Sequence, residues 1–172
     1  MSEQEHAGVV RTTQVIVLAL CGGVVMFAVV AALATGPGQQ AQAGLMTMVS
    51  AAYALVASTA AALVPPLAAR HQCRRIADGT WRPPSANVPP QTTDAGRLAV
   101  VHASKTILGT ALLESAALFA LVAYLWERHL AALGLAGVLV LAMLWHLPTP
   151  GSVSRWIGER LVWIEQQRQF SR

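Results

Sequence analysis

Four apolar runs, each close to the thickness of a bilayer, leave this chain few ways to fold. Residues 15–34, 45–64, 107–125 and 130–147 hold one charged side chain among them, Glu114. A helix needs about 20 such residues to cross roughly 30 Å of hydrocarbon. In that medium every backbone amide and carbonyl must be satisfied within the segment, which selects helices for runs of this length. The expected fold is therefore an all-α integral membrane protein, with four transmembrane helices as two hairpins, cytoplasmic helix extensions and a C-terminal amphipathic helix. Composition agrees: 55% of the 172 residues are hydrophobic and 12% charged, against about 25% charged in an average soluble domain. Cys21 and Cys73, the only cysteines, fall in an apolar run and a basic segment. They cannot frame a disulfide scaffold.

In chain order, residues 1–13 form a short polar N-terminus, expected on the cytoplasmic side. Residues 14–66 form the first hairpin. Its opening run exceeds the roughly 7–15 apolar residues of a signal peptide and is expected to be retained, although Ala41-Gln42-Ala43 resembles a small-residue cleavage site. Gly36-Pro37-Gly38 should stop the first helix, and Pro65-Pro66 should end, kink or break the second. Residues 67–104 read as a basic, Pro-rich cytoplasmic loop with helix extensions. Within it Pro83-Pro84 and Pro89-Pro90 stiffen a linker, and Thr93 or Asp94 is placed to cap the next helix. That helix, expected over 95–126, is about 48 Å long at 1.5 Å per residue and must project beyond the bilayer. Residues 105–148 form the second hairpin, turning at Glu127-Arg128-His129. Thr149 followed by Pro150 then opens a last helix. Over 149–172 this helix gathers Val153, Trp156, Ile157, Trp163 and Ile164 on one side. Two tryptophans on that face suit a helix lying in the headgroup plane, with docking on a partner or neighbouring subunit as the other reading.

The basic residues sort by side. With four crossings, eleven lysines and arginines share the face of the termini and the central loop, and only Arg128 lies on the other. Basic residues collect on the cytoplasmic side, so both termini are expected there, in a bacterial cytoplasmic membrane. The net charge of +4 then reflects topology and contact with anionic lipid through Arg70, Arg74, Arg75, Trp156 and Trp163, and no nucleic-acid partner is expected.

Helix packing is the next expectation. Gly22 and Gly23 on the first helix, Ala54, Ala57, Ser58 and Ala61 on the second, and Ala111 and Ser115 on the third are small residues that let helix backbones approach. Counting depth at 1.5 Å per residue, Ser58, Thr59 and the glycine pair come level with Glu114. An acid inside an apolar span is expensive and faces a bundle interior, a cavity or an ion path. Glu114, with Ser58 and Thr59 as company, is thus the candidate ion-binding or interhelical residue.

The stretch 111–125, ALLESAALFALVAYL, resembles the ion-carrying helix of the proteolipid (c) subunit of rotary ATP synthases and vacuolar-type pumps. There a glutamate is followed by small residues and an apolar run. The resemblance implies that Glu114 binds and releases a proton or sodium ion. Read from the residues alone, the leading expectation is that Glu114 serves as interhelical glue worth roughly 0.6–2 kcal/mol, in a structural or accessory subunit of a membrane complex or a homo-oligomer, with the ion-carrying role as the alternative. No catalytic residue, metal site or cofactor is expected: HExxH, GxSxG, CxxC and phosphate-loop spacings are absent. His102 and His146, the only histidines near the membrane, differ in depth by about 10 Å, too far for two axial ligands of one haem.

Overall fold

The computed structural model describes residues 3–35, 44–83 and 93–170, with side chains at 8–35, 44–83 and 93–169. The expected stop at 36–38, the cleavage-like 41–43 and the linker prolines 84, 89 and 90 lie outside the described residues. Those described form five helices and no strand: α1 Glu3–Thr35, α2 Leu45–Ala77, α3 Asp94–Glu127, α4 Leu130–Trp145 and α5 Pro150–Phe170. By length and composition α1, α2 and α3 can each cross a membrane, while α4 and α5 form a further candidate pair bent by 62°. With 16 residues, α4 alone is only about 24 Å long.

The helix ends follow the chemistry of their residues. Thr93 caps α3 by accepting from the Gly96 amide at 3.2 Å, which supplies one of the partners a first turn lacks. Arg128 closes α3 in the left-handed conformation (φ 50°), and His129 Nδ1 accepts from the Ala131 amide at 3.3 Å to open α4. At α5, Thr149 Oγ1 accepts from the Ser152 amide (3.3 Å) and Pro150 takes the first helical position. Gly79 (φ +69°) ends α2: its amide bonds to the Ile76 carbonyl (3.2 Å) and that of Thr80 to Arg75 (2.9 Å), a Schellman closure.

Of the outcomes expected at Pro65-Pro66, an end to the helix does not occur. Pro65 and Pro66 lie inside α2 and do not end it. Each removes one amide donor, but Pro65 is buried against α3, where Gly109 leaves room. A Cβ at Gly109 would stand 3.6 Å from Pro65 Cγ and 3.8 Å from the Ala61 carbonyl oxygen. Packing against a neighbouring helix thus carries α2 through its proline pair.

The helices share two cores. The first lies within the apolar runs and is centred on α3, where Leu113, Ala116, Ala117, Ala120 and Leu121 are almost wholly buried. Val17, Cys21 and Val24 of α1, Ala54, Ala57 and Ala61 of α2, and Ala136, Leu139 and Met143 of α4 close on it. The second core lies beyond the apolar runs, where α1 starts, α2 ends and α3 starts. It joins Val10, Ala69, Cys73, Ile76, Leu98, Ala99 and Val101 to Val153, Ile157 and Ile164 of α5. The apolar side of α5, which the sequence offers either to the headgroup plane or to a docking partner, is taken up here within the chain; Trp156 and Trp163 stand half-buried against the same cluster.

Polar pins fix both ends. At the far end the Glu127 carboxylate accepts from the amides of Gly44 (3.1 Å), Met46 (2.7 Å) and Thr47 (2.8 Å) and from the Thr47 hydroxyl (2.6 Å). It thereby caps the first turn of α2, whose own N-cap residue, Gly44, has no side chain to offer. A Cβ on Gly44 would collide with Glu127 Oε1. The Thr35 and Tyr124 hydroxyls bond beside it at 3.2 Å. At the near end Arg168 of α5 donates to the carbonyls of Ile76 (3.1 Å) and Ala77 (3.3 Å) and pairs with Asp94 at 2.7 Å. One guanidinium there joins the end of α2 to the start of α3. Gln14 Nε2 donates to the Pro148 carbonyl at 2.8 Å, tying α1 to the α4–α5 bend.

Candidate functional site

Two places concentrate charge where the surroundings are apolar. The first is Glu114 on α3, half-buried at the middle of the 107–125 run. Neighbouring Leu113 and Ala117 turn into the core, so Glu114 stands at its margin. Among the described residues Glu114 makes no hydrogen bond or ion pair.

The company expected for it is arranged differently. Ser58 and Thr59 are exposed, and the Thr59 hydroxyl bonds to its own helix at the Leu55 carbonyl (2.8 Å). Gly22 and Gly23 are exposed too, and a Cβ on either would meet nothing within 4 Å. The glycine pair therefore does not make room for the acid. The small residues that bring helices together are Ala54, Ala57 and Ala61, all buried on the α3 side of α2. Ser58, one position round, misses that face. Ala111 is exposed, and Ser115 is half-buried and hydrogen-bonds the Tyr53 hydroxyl at 3.1 Å. An edge-on contact between the Tyr53 and Phe119 rings (5.4 Å) supports that bond.

The second place lies where α2, α3 and α5 meet beyond the apolar run. A small cleft there is lined by Pro66, Ala69, Arg70, Lys105, Trp156 and Arg160. The spacing of four between Trp156 and Arg160 puts both on one side of α5, and the Arg160 guanidinium sits 5.8 Å from the Trp156 ring centre. His102, one turn before Lys105 on α3, meets the same ring edge-on at 5.1 Å. Burial, and then the charge of Lys105, push the His102 imidazole down to about 4, so it is neutral at pH 7. A larger cleft of about 360 Å³ adjoins, sharing Pro66 and Lys105 and running past Ala61, Ala62 and Gly109 toward Trp145 and Leu147. His102 and His146 both border it. The described residues contain no group of three or more His, Cys, Asp or Glu side chains able to hold a metal ion.

Of the basic residues read as headgroup contacts, Arg70 reaches the small cleft, whereas Arg74 is exposed and Arg75 turns back to the Thr80 carbonyl (3.3 Å). Trp156 lines the cleft, and Trp163 packs on the second core. Sequence alone does not gather Lys105, His102 and Arg160 into one site. The i, i+3 spacing of the first two marks a shared face, but only the docking of α5 brings Arg160 to it. No protein-family model, no curated protein and no solved structure matches this chain.

Proposed function

We propose that this protein is a four-crossing membrane protein with both termini cytoplasmic, acting as a structural or accessory subunit of a membrane complex. Its α4 makes the fourth crossing, and the eleven-to-one asymmetry of basic residues supports the orientation. The near-end core, reinforced by α5, is the cytoplasmic part. The observation that carries the subunit role is Glu114: an acid in the apolar run, at the margin of the core, with no hydrogen bond or ion pair among the described residues. A neighbouring chain that brings a hydroxyl, amide or basic group to that margin completes it. Wide apolar surfaces on α1 and α2, including Met26, Leu33, Met48 and Leu55, are also open to lipid or a partner.

The same observation favours a second reading, in which Glu114 binds and carries a proton or sodium ion as the resemblance of 111–125 to proteolipids implies. Native mass spectrometry of the membrane-extracted protein, beside Glu114→Gln, separates the two. For the subunit role we expect a defined complex that Glu114→Gln weakens by roughly 0.6–2 kcal/mol, a factor of about 3 to 30 in dissociation constant, with ion flux in vesicles unchanged. A ring of many identical copies whose Glu114 reacts with a hydrophobic carbodiimide, more slowly when sodium is added, establishes the ion-carrying role instead. A lone chain whose behaviour Glu114→Gln leaves untouched refutes both.

A further inference from the structure

Arg70, Lys105 and Arg160 come from three helices and converge on one cleft, an arrangement that brings like charges together. Lys105 and Arg160 are close enough to repel one another. Such a cluster normally draws a carboxylate, because a buried or half-buried charge without a partner is costly. Among the described residues no carboxylate lines either cleft. Both ion pairs formed by the described residues involve Asp94, at the start of α3. Glu159 and Glu165 lie exposed on α5, and Glu127 is engaged at the far end. No ion pair joins Arg70, Lys105 or Arg160 to a described carboxylate, which leaves the cluster open to an anion from outside.

The shape of the neighbouring space narrows what that anion belongs to. From Lys105 the larger cleft runs along α2 past Pro66, Ala62 and Ala61 into the level of the apolar runs, with His102, Thr106, His146 and Ser152 also on its wall. A free phosphate would leave this space empty, whereas an acyl chain would fill it. Trp145, 90% exposed, flanks the cleft and suits the boundary between headgroups and hydrocarbon. We propose that α2, α3 and α5 form a specific site for one anionic phospholipid, with its phosphate between Arg70, Lys105 and Arg160 and one acyl chain in the adjoining cleft. The neutral His102 ring, held against Trp156, forms the wall between the two compartments. The site depends on the membrane reading above and not on the role of Glu114.

The test is native mass spectrometry on full-length protein extracted from membranes into mild detergent, titrated with phosphatidylglycerol or phosphatidylcholine of the same chains. One phosphatidylglycerol should be retained in preference to phosphatidylcholine, and millimolar inorganic phosphate should not displace it. Neutralising the pair, Lys105→Gln with Arg160→Gln, should weaken retention about 25-fold, since each basic residue beside an anionic lipid contributes about fivefold. The exposed Arg155→Gln should leave it unchanged. Ala62→Phe, which blocks the acyl cleft without altering a charge, should abolish the preference, and it decides the matter if the double variant does not fold. Equal retention of the two lipids, displacement by phosphate, or undiminished retention in Ala62→Phe would overturn the site while leaving the membrane reading intact. A chain recovered in the soluble fraction overturns both.

Discussion

Glu127 shows how one side chain can do work that its neighbours in sequence do not reveal. It sits beyond the apolar run at the turn into α4, yet its carboxylate caps α2. The Thr47 hydroxyl first, and then the amides of Thr47, Met46 and Gly44, hold its carboxyl below the ordinary value of 4.5, against a smaller opposing effect of desolvation. The sign follows from linkage: a carboxyl with a depressed folded pKa contributes stability that is present above its unfolded pKa and lost as pH falls through the folded one. We expect the detergent melting temperature to fall on acidification below about pH 4.5, and Glu127→Ala to be less stable at pH 7 but to lose less of its remaining stability over that acid range. Melting curves of the two proteins at pH 7 and pH 4 check this. Gly44→Ala should reproduce the neutral-pH loss, because its Cβ displaces the carboxylate. Local capping was legible in sequence, as at Thr93 and Thr149-Pro150, because those bonds close within one turn. The bonds of Glu127 and Arg168 reach across some 80 to 90 residues and could not be read before the helices were paired.

The helices themselves announced their presence through apolar length, and their ends through Gly, Pro and cap residues. The proline pair in α2 was the exception, since sequence records a missing donor but not the neighbour that supports the helix across it. Gly109 is the counterpart of Pro65, and its space fits one carbon more: at 3.6 and 3.8 Å a methyl group makes ordinary contact. Gly109→Ala should therefore keep the α2–α3 packing and, by removing a glycine from a helix interior, raise stability by up to about 0.5–1 kcal/mol. Gly109→Leu should instead overpack the contact, at a cost of about 1–3 kcal/mol. Chemical unfolding in detergent should resolve the two. For α5 the amphipathic pattern was plain, but amphipathicity states only that a face must be covered. The cover is the second core, and its docking turns Arg160 from a surface charge into part of a cleft.

At the scale of the whole molecule, the helix–helix contacts that the described residues of 1–83 make with those of 93–172 exceed the helix–helix contacts within either part. The α2–α3 and α1–α3 contacts form the first core, α5 docks on α2 through the second, and the bonds Gln14–Pro148, Thr35–Tyr124, Tyr53–Ser115, Glu127–Thr47 and Arg168–Ile76 all cross between the parts. Co-expressed as separate polypeptides, 1–83 and 93–172 should therefore co-purify in mild detergent through a tag on either one, and recovery of the tagged part alone would contradict this. With a clamp at each end of the α2–α3 pair, holding the two parts together does not require the covalent joint between them. A lineage could lengthen that joint, load it with a recognition sequence, or divide the pieces between adjacent genes, and the assembly would still come together.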